Sequence, residues 1–242
     1  MTDTKQLAIV TGAAGGMGKG ITRRLVDDGF RVLMSDMRHE ALAEAAREFG
    51  DNVDFVAGDV TDPAHRAALF DRAEGLFVLV NNAGAFWPGS FDDLSGDDFR
   101  KIMEVNLIAP FEFAKLAVPI MRKGGGGRIV NIASRAYLGA ARLGHYAASK
   151  GALVSLTVSM SMELGGDGIL VNAIAPGVIN TPALDLWDDP NVIPTLAKQI
   201  AVGHIGEPAD VAHMVSTMAS PRNTFLNGQT VIVDGGRAGA SK

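Results

Sequence analysis

The amino-terminal strand, glycine turn and helix are the feature that most constrains the fold. The apolar run Gln6–Val10 leads into TGAAGGMG at residues 11–18, after which Ile21, Leu25 and Val26 recur at helical spacing. Glycines in such a turn permit positive φ, bring the backbone close to a pyrophosphate and let the helix pack against the strand. The helix N-terminus then offers free N–H groups to an anion. The pattern predicts a nucleotide-cofactor site, the alternative being a glycine turn that serves packing alone.

A second strand bears on which cofactor is bound. It spans Phe30–Ser35 and ends at Asp36, an acid that can accept hydrogen bonds from both adenosine ribose hydroxyls and would repel a 2′-phosphate. No Arg or Lys occupies the two nearest positions, Gly15 and Met37, so we predict NAD. Arg38, two residues beyond the acid, keeps NADP open as an alternative, and an ordinary solvated aspartate is another.

The rest of the chain alternates strand and helix patterns. Further strands are predicted over Val53–Ala57, Leu76–Val80, Arg128–Ala133, Gly168–Ala175 and Gln229–Val233, and helices over Glu40–Phe49, Pro63–Glu74, Ser95–Met121, His145–Leu164 and Glu207–Ala219. This order predicts a single doubly wound, Rossmann-like α/β domain over residues 1–242, with a seven-stranded parallel sheet and helices on both faces. Asn106 predicts a kink or a polar task within its helix, and Pro110 and Pro119 reinforce the expectation of an irregular or broken helix.

Composition excludes several classes of function. A net charge of −5, with no run of Lys and Arg, argues against a nucleic-acid partner or a membrane-surface patch. The absence of cysteine excludes disulfides, a thiolate nucleophile and a zinc–thiolate site, and we predict no metal ion. The start MTDTKQLAIV has no signal-peptide pattern and no apolar run is long enough to span a membrane. We therefore expect a cytoplasmic protein without a membrane partner.

Tyr146 and Lys150 lie four residues apart and so share one face of the helix His145–Leu164. One charge at about 4 Å supplies roughly 4 kcal/mol at an effective dielectric of 20, which is enough to lower a phenol pKa by about three units. The pair can therefore exchange protons with a substrate, although an ordinary half-exposed pair has the same spacing. Ser134 follows the predicted fifth strand, at the sheet edge where ligands bind in this fold class.

Taken in order, these motifs resemble those of the short-chain dehydrogenase/reductase family. The resemblance covers nearly the whole chain and is carried by TGAAGGMG, Asn81-Asn82-Ala83-Gly84, Ser134, Tyr146-x-x-x-Lys150 and PGVINT at 176–181. It implies catalytic roles for Tyr146 as acid/base, Lys150 as the group that lowers its pKa and holds the nicotinamide ribose, Ser134 at the substrate oxygen and Asn106 at a water of the proton relay. Cofactor contacts are implied for Gly12, Gly16, Met17, Gly18, Asp36, Asp59, Val60, Asn82, Ala83, Gly84, Tyr146, Lys150, Pro176, Gly177, Ile179 and Thr181.

The activity so implied is hydride transfer between NAD(H) and a secondary alcohol or carbonyl of a small molecule. Two alternatives stay open: an NADP-dependent carbonyl reductase acting on acyl thioesters, and a dinucleotide sensor without turnover. The resemblance also implies a homotetramer, with the helices around 95–121 and 145–164 at one interface.

The substrate side is less defined. Ser134, Arg142, His145 and Trp187 are candidate substrate contacts, and the proline-containing segment 182–202 is a candidate lid. Basic side chains there can hold a carboxylate and aromatic ones a ring, so the sequence leaves the substrate open. The spacing from Ser134 to Tyr146 is one residue shorter than in many members of the family, which indicates a shorter substrate loop.

Overall fold

The computed structural model describes residues 5–182, 184 and 192–237. In this part of the chain, seven strands form one parallel sheet in the order β3-β2-β1-β4-β5-β6-β7. They are β1 Leu7–Thr11, β2 Arg31–Asp36, β3 Val53–Ala57, β4 Leu76–Asn81, β5 Gly127–Ile132, β6 Ile169–Pro176 and β7 Thr230–Val233. The direction of winding reverses between β1 and β4, which is where doubly wound sheets bind ligands.

Helices cover both faces of the sheet, as predicted. They are α1 Gly16–Asp27, α2 His39–Arg47, α3 Pro63–Phe70, α4 Gly96–Met103, α5 Ala109–Lys123, α6 Gly144–Leu164, α7 Val192–Ala197 and α8 Pro208–Ala219. Along β1 the side chains alternate: Ala8 and Val10 pack against α1, α2 and α8, whereas Leu7 and Ile9 pack against α3 and α5. Two apolar layers therefore hold the sheet, and the α/β fold class is confirmed.

The helix pattern over 95–121 resolves into three parts. A π-helical turn, Glu104–Ile108, separates α4 from α5, and its centre is the buried Asn106. The predicted interruption at Asn106 is confirmed. Pro110 lies in the first turn of α5, where a missing N–H is harmless, and Pro119 lies inside α5 without ending it, so the predicted irregularity of this segment is located at the π-helical turn. Burial of Ala117, Val118 and Met121 against the sheet stabilises α5 despite the lost hydrogen bond.

Helix α3 ends at Phe70, four residues earlier than predicted, because Arg72 and Ala73 donate to carbonyls only three residues back and Gly75 takes a positive φ of 78°. The predicted lid segment contains helix α7, but Trp187 lies outside the described residues. A lid role for 182–202 stays a prediction. No helix among the described residues has the length and apolar character needed to cross a membrane.

Candidate active site at the carboxyl edge of the sheet

A cavity of about 730 Å³ opens at the carboxyl ends of the strands around the β1–β4 switch point. Most predicted cofactor contacts line it: Gly12, Gly16, Met17, Gly18, Asp36, Asp59, Val60, Asn82, Ala83, Gly84, Tyr146, Lys150 and Thr181. The glycine turn and the Tyr–Lys pair therefore share one cavity, as the sequence reasoning requires. A volume of this order suits a small-molecule or cofactor site.

Backbone proximity explains the glycines of the turn. A Cβ at Gly18 would come within 2.2 Å of the Gly12 carbonyl oxygen, and Gly12 itself has a positive φ of 64° with the backbone of Ala83 2.8 Å from where a Cβ would lie. Helix α1 begins at Gly16, so its first N–H groups face the cavity, and the Thr181 side chain closes over the same residue. The turn thus has the shape and polarity of a pyrophosphate cradle.

Asn82 and Thr11 fasten the ends of β1 and β4 to each other. Asn82 Nδ2 donates to the carbonyl oxygens of Thr11 at 2.8 Å and Gly12 at 3.1 Å. Thr11 Oγ1 accepts from the backbone N–H groups of Asn82 and Ala83, each at 3.0 Å. Buried Asn82 Oδ1 has no hydrogen-bond partner among the described residues. We predicted no role for Thr11 from the sequence, although its position as the first residue of the glycine motif was a signal that could have identified it.

Asp36 has more partners than expected. Its carboxylate accepts from the Ala14 backbone N–H at 3.1 Å and from the Arg38 backbone N–H, Nε and Nη2, each at 3.0 Å. Burial raises the Asp36 pKa, but the hydrogen bonds and charge of Arg38 outweigh it and hold the pKa below its usual range. The carboxylate is therefore ionised at neutral pH, and Arg38 is its ion-pair partner.

Tyr146 and Lys150 lie on one face of α6, with Lys150 Nζ 5.9 Å from the centre of the tyrosine ring. The Ser134 side chain lies near enough to the phenol to act on its pKa, and Ser134 Oγ accepts from the Ala136 N–H at 3.1 Å. Lys150 Nζ donates to the Ile132 carbonyl oxygen at 2.8 Å and is 4% exposed. Strand β5 and helix α6 thus bring the three predicted catalytic side chains together.

The pKa directions at this pair differ from the prediction. Burial raises the pKa of Tyr146, with the Ser134 hydrogen bond acting in the opposite direction, and burial lowers the pKa of Lys150 to about 8. The prediction was that Lys150 lowers the pKa of the Tyr146 phenol. With the protein groups of this cleft alone, the pKa of the phenol is raised and Lys150 is not among the causes that act on it. Both groups are desolvated, and burial disfavours the charged form of each.

Asn106 reaches the site through the π-helical turn. Its Oδ1 accepts from the Ala85 N–H at 2.9 Å, while its Nδ2 donates to the Ala85 carbonyl at 2.9 Å and to Ser149 Oγ at 3.0 Å. Ser149 in turn donates to the Tyr146 carbonyl at 2.8 Å. The amide of Asn106 thus fixes the loop after β4 to the catalytic helix.

The remaining predicted contacts do not line the cavity. Gly177 serves packing, since a Cβ there would come 2.6 Å from the Asp234 Cβ, and Ile179 is buried and bridges to Gly206. Pro176 is the last residue of β6. Of this strand-end motif, Thr181 is the residue that the structure brings to the cavity wall.

Two of the predicted substrate contacts occupy different surroundings from those expected. His145 is 0% exposed, neither ring nitrogen has a hydrogen-bond partner among the described residues, and the ring packs 4.8 Å from Trp87 and 6.0 Å from Phe99. Burial lowers its pKa, so it is a neutral core side chain and not the accessible basic group proposed for the pocket. Arg142 is exposed, with a φ of 64°, and its carbonyl accepts from the Gly89 N–H at 2.9 Å.

Phe86 is an aromatic residue of the cavity wall that the Sequence analysis did not single out. Its ring lies 5.8 Å from that of Tyr146 and lines the cavity beside it. Aromatic surface therefore lies beside the Tyr146 ring in the cavity.

The fold and this cleft define a nucleotide-dependent oxidoreductase, and comparison with known proteins agrees. The family described as enoyl-(acyl carrier protein) reductase matches residues 12–238, so the chain belongs to the short-chain dehydrogenase/reductase family. It transfers hydride between a nicotinamide dinucleotide and an alcohol or carbonyl group.

Its relatives are diverse. The chain is 37% identical over 236 residues to the 3-alpha-(or 20-beta)-hydroxysteroid dehydrogenase of Mycobacterium tuberculosis, covering 96% of this chain and 88% of the relative. It is 35% identical over 236 residues to the 3-oxoacyl-acyl-carrier-protein reductase FabG of Vibrio cholerae, with 96% of each covered. It is 34% identical over 248 residues to the NADP-dependent (R)-specific alcohol dehydrogenase of Lentilactobacillus kefiri, with 98% of each covered.

Proposed function

We propose that this chain is an NAD-preferring dehydrogenase/reductase that interconverts a secondary alcohol and a ketone, with Tyr146 exchanging the substrate proton. The observation that carries the proposal is the shared cavity: Tyr146, with Ser134 and Lys150 near it, lines the same cleft as the glycine turn. Bound nicotinamide supplies the hydride acceptor or donor.

The side chains divide the remaining work. Tyr146 Oη takes the hydroxyl proton during oxidation and returns it during reduction, and Ser134 orients the substrate oxygen toward it. Lys150 donates one N–H to the Ile132 carbonyl and has two more N–H groups that can donate to the nicotinamide ribose. Asn106 holds the catalytic helix through Ser149, and its place in the π-helical turn suits the relay role that the family resemblance implies.

The preference for NAD rests on Asp36. Its ionised carboxylate lines the cavity at the end of β2, where it can exchange the Arg38 side-chain bonds for ribose hydroxyls and its negative charge disfavours a 2′-phosphate. Because the Arg38 guanidinium is bonded to this carboxylate at two positions, its charge is already neutralised. Both features favour a dinucleotide without the extra phosphate.

NADP is the second candidate, and Arg38 is the observation that favours it. Its side chain lines the cavity and lies over the turn, since a Cβ at Gly15 would come 3.6 Å from Arg38 Nη2. One relative is named as NADP-dependent. Steady-state kcat/KM with NAD and with NADP, measured on one substrate found from a panel of steroid, aryl and hydroxyacyl-thioester alcohols, separates the two. A clear NADP advantage would overturn the assignment.

We further propose a homotetramer in which the α5 and α6 faces pair with those of a second copy. These helices expose Phe111, Leu116, Val158 and Met162, the last being 80% exposed. Apolar surface of this kind on neighbouring helices is typical of an interface. Light scattering on a sizing column tests this, with Met162→Glu expected to lower the assembled mass and the exposed change Arg47→Glu, on α2, as control.

A further inference from the structure

His65 is a buried polar residue that the chemistry does not use. Helix α3 begins at Pro63, with Asp62 Oδ1 accepting from the Ala64 N–H at 2.9 Å, and this start directs His65 inward. His65 is 6% exposed, and its Nε2 lies 2.9 Å from the Oγ of Ser35, which is 0% exposed. Burial lowers the His65 pKa, so the ring is neutral at pH 7.

The same ring presses against the turn after β3. A Cβ at Gly58 would lie 2.3 Å from His65 Nδ1, so only glycine fits there. Nδ1 has no hydrogen-bond partner among the described residues, and an unpaired buried nitrogen opposes folding. An apolar side chain would avoid that penalty, which indicates that the ring serves more than core packing.

Ser35 and Gly58, which both contact the His65 ring, each come immediately before a residue that is predicted to contact adenosine. Ser35 comes before Asp36, and Gly58 comes before Asp59. The two strand ends are also joined directly, because the Gly58 N–H donates to the Asp36 carbonyl at 3.0 Å. His65 therefore lies beneath the part of the cleft lined by Asp36, Gly58, Asp59 and Val60, and braces its two sides against each other.

The neighbouring residue supports the same turn. Buried Arg66 donates from Nη1 to the Val60 carbonyl at 2.8 Å. Helix α3 thus fixes the turn at both ends, at Gly58 through the histidine ring and at Val60 through the guanidinium. Asp59, between them, is left with its Oδ1 accepting from the N–H and hydroxyl of Thr61, each at 2.9 Å.

We propose that His65 is a positioning residue for the adenosine end of the cofactor, setting the separation between the Asp36 tip and the Asp59–Val60 turn. The inference rests on the proposed function for the identity of the ligand. It adds a residue that touches neither cofactor nor substrate and acts through Ser35 and Gly58.

The test compares ligands that contain or lack the adenosine half. In His65→Ala, calorimetric Kd values for NAD and for ADP-ribose should each rise about tenfold, the scale of one lost hydrogen bond with its ordering. The Kd of nicotinamide mononucleotide, which lacks adenosine, should not change. Turnover should show a raised KM for NAD with an unchanged kcat, and Ser35→Ala should give a smaller rise of the same kind. His213→Ala, on the exposed side of α8, is the matched control.

If His65→Ala does not fold, His65→Gln and Ser35→Ala carry the comparison. Equal weakening of mononucleotide and ADP-ribose binding, or no change in either, would overturn the proposal. Because these are binding measurements, an enzyme that turns over no alcohol in the panel would refute the proposed function and leave the role of His65 still measurable.

Discussion

The two halves of the cleft are built from different kinds of contact. The cofactor half, at the ends of β1 to β4, is shaped by backbone: the Gly12–Gly18 approach, the Asn82 bonds to main-chain carbonyls and the N-terminus of α1. The substrate half, formed by the loop that follows β4 and by the segments after β5 and β6, is shaped by side chains such as Phe86 and by loops. Backbone shape follows from a few glycines and asparagines, whereas side-chain walls vary with little effect on the fold. Membership of the family therefore identifies the reaction class but does not identify the substrate.

The largest expected effect is a loss of turnover without a loss of cofactor binding, produced by a change in the substrate half. Tyr146→Phe keeps the half-buried ring but removes the hydroxyl that we propose exchanges the proton, so kcat should fall about a thousandfold. The calorimetric Kd of NAD should stay unchanged, because the cofactor half is intact. Tyr137→Phe, at the chain's other tyrosine, should keep its kcat. Near-normal turnover of Tyr146→Phe would remove the acid/base assignment.

A change in the cofactor half should instead weaken the binding of NAD. In Gly18→Ala the new methyl would meet the Gly12 carbonyl oxygen at 2.2 Å and Ala13 Cα at 2.6 Å, both fixed backbone atoms. We expect the Kd of NAD to rise about a hundredfold, from displacement of the turn. Gly166→Ala, where a Cβ meets nothing within 4 Å, is the control. Unchanged affinity in Gly18→Ala would show that the turn does not hold the pyrophosphate.

Lys150 belongs to both halves, and its burial should appear in the pH dependence of stability. Its native pKa of about 8 is below its ordinary value of 10.5, so the buried charge destabilises the native state at pH 7 and this penalty fades as pH rises toward 10.5. The stability of Lys150→Met relative to wild type should therefore fall by about 2 kcal/mol between pH 7 and pH 10. Urea unfolding at both pH values measures this, with the exposed-site variant Lys101→Met showing no such trend. A constant difference would mean that Lys150 is not desolvated.

The smallest effect concerns the choice of cofactor. Asp36→Asn removes the negative charge that repels a 2′-phosphate and frees the Arg38 guanidinium, so the ratio of kcat/KM for NAD to that for NADP should drop about tenfold. Arg38→Gln alone should move the ratio little, since its charge is paired. A large change in Arg38→Gln with none in Asp36→Asn would point to arginine as the determinant.

The sequence predicts the backbone-defined features well. All seven strands have predicted counterparts, Val53–Ala57 with the same ends, because buried parallel strands are apolar runs bounded by turn residues. Asn106 marked the π-helical turn, since an amide is unfavourable in an apolar helix. Tyr146 and Lys150 were placed together by helical spacing alone.

The predictions that failed concern side chains whose neighbours come from distant parts of the sequence. His145 is adjacent to the catalytic tyrosine in sequence, yet its position on the helix turns it into the apolar cluster with Trp87 and Phe99. The Arg38–Asp36 pair depends on a bend that residue types do not encode, and the pKa directions of Tyr146 and Lys150 depend on how much water the whole fold excludes.

The π-helical turn has a consequence for how the chain can change length. Its Ala109 N–H reaches five residues back to Glu104, so the segment holds one residue more than a regular α-helix would use. Deleting that residue would relax 96–123 into a continuous α-helix and would remove the widened turn from which Asn106 reaches Ala85 and Ser149. The shortened protein would have better local helical geometry and a displaced Asn106 amide, so the extra residue costs the helix regularity and supplies the link between the loop after β4 and α6.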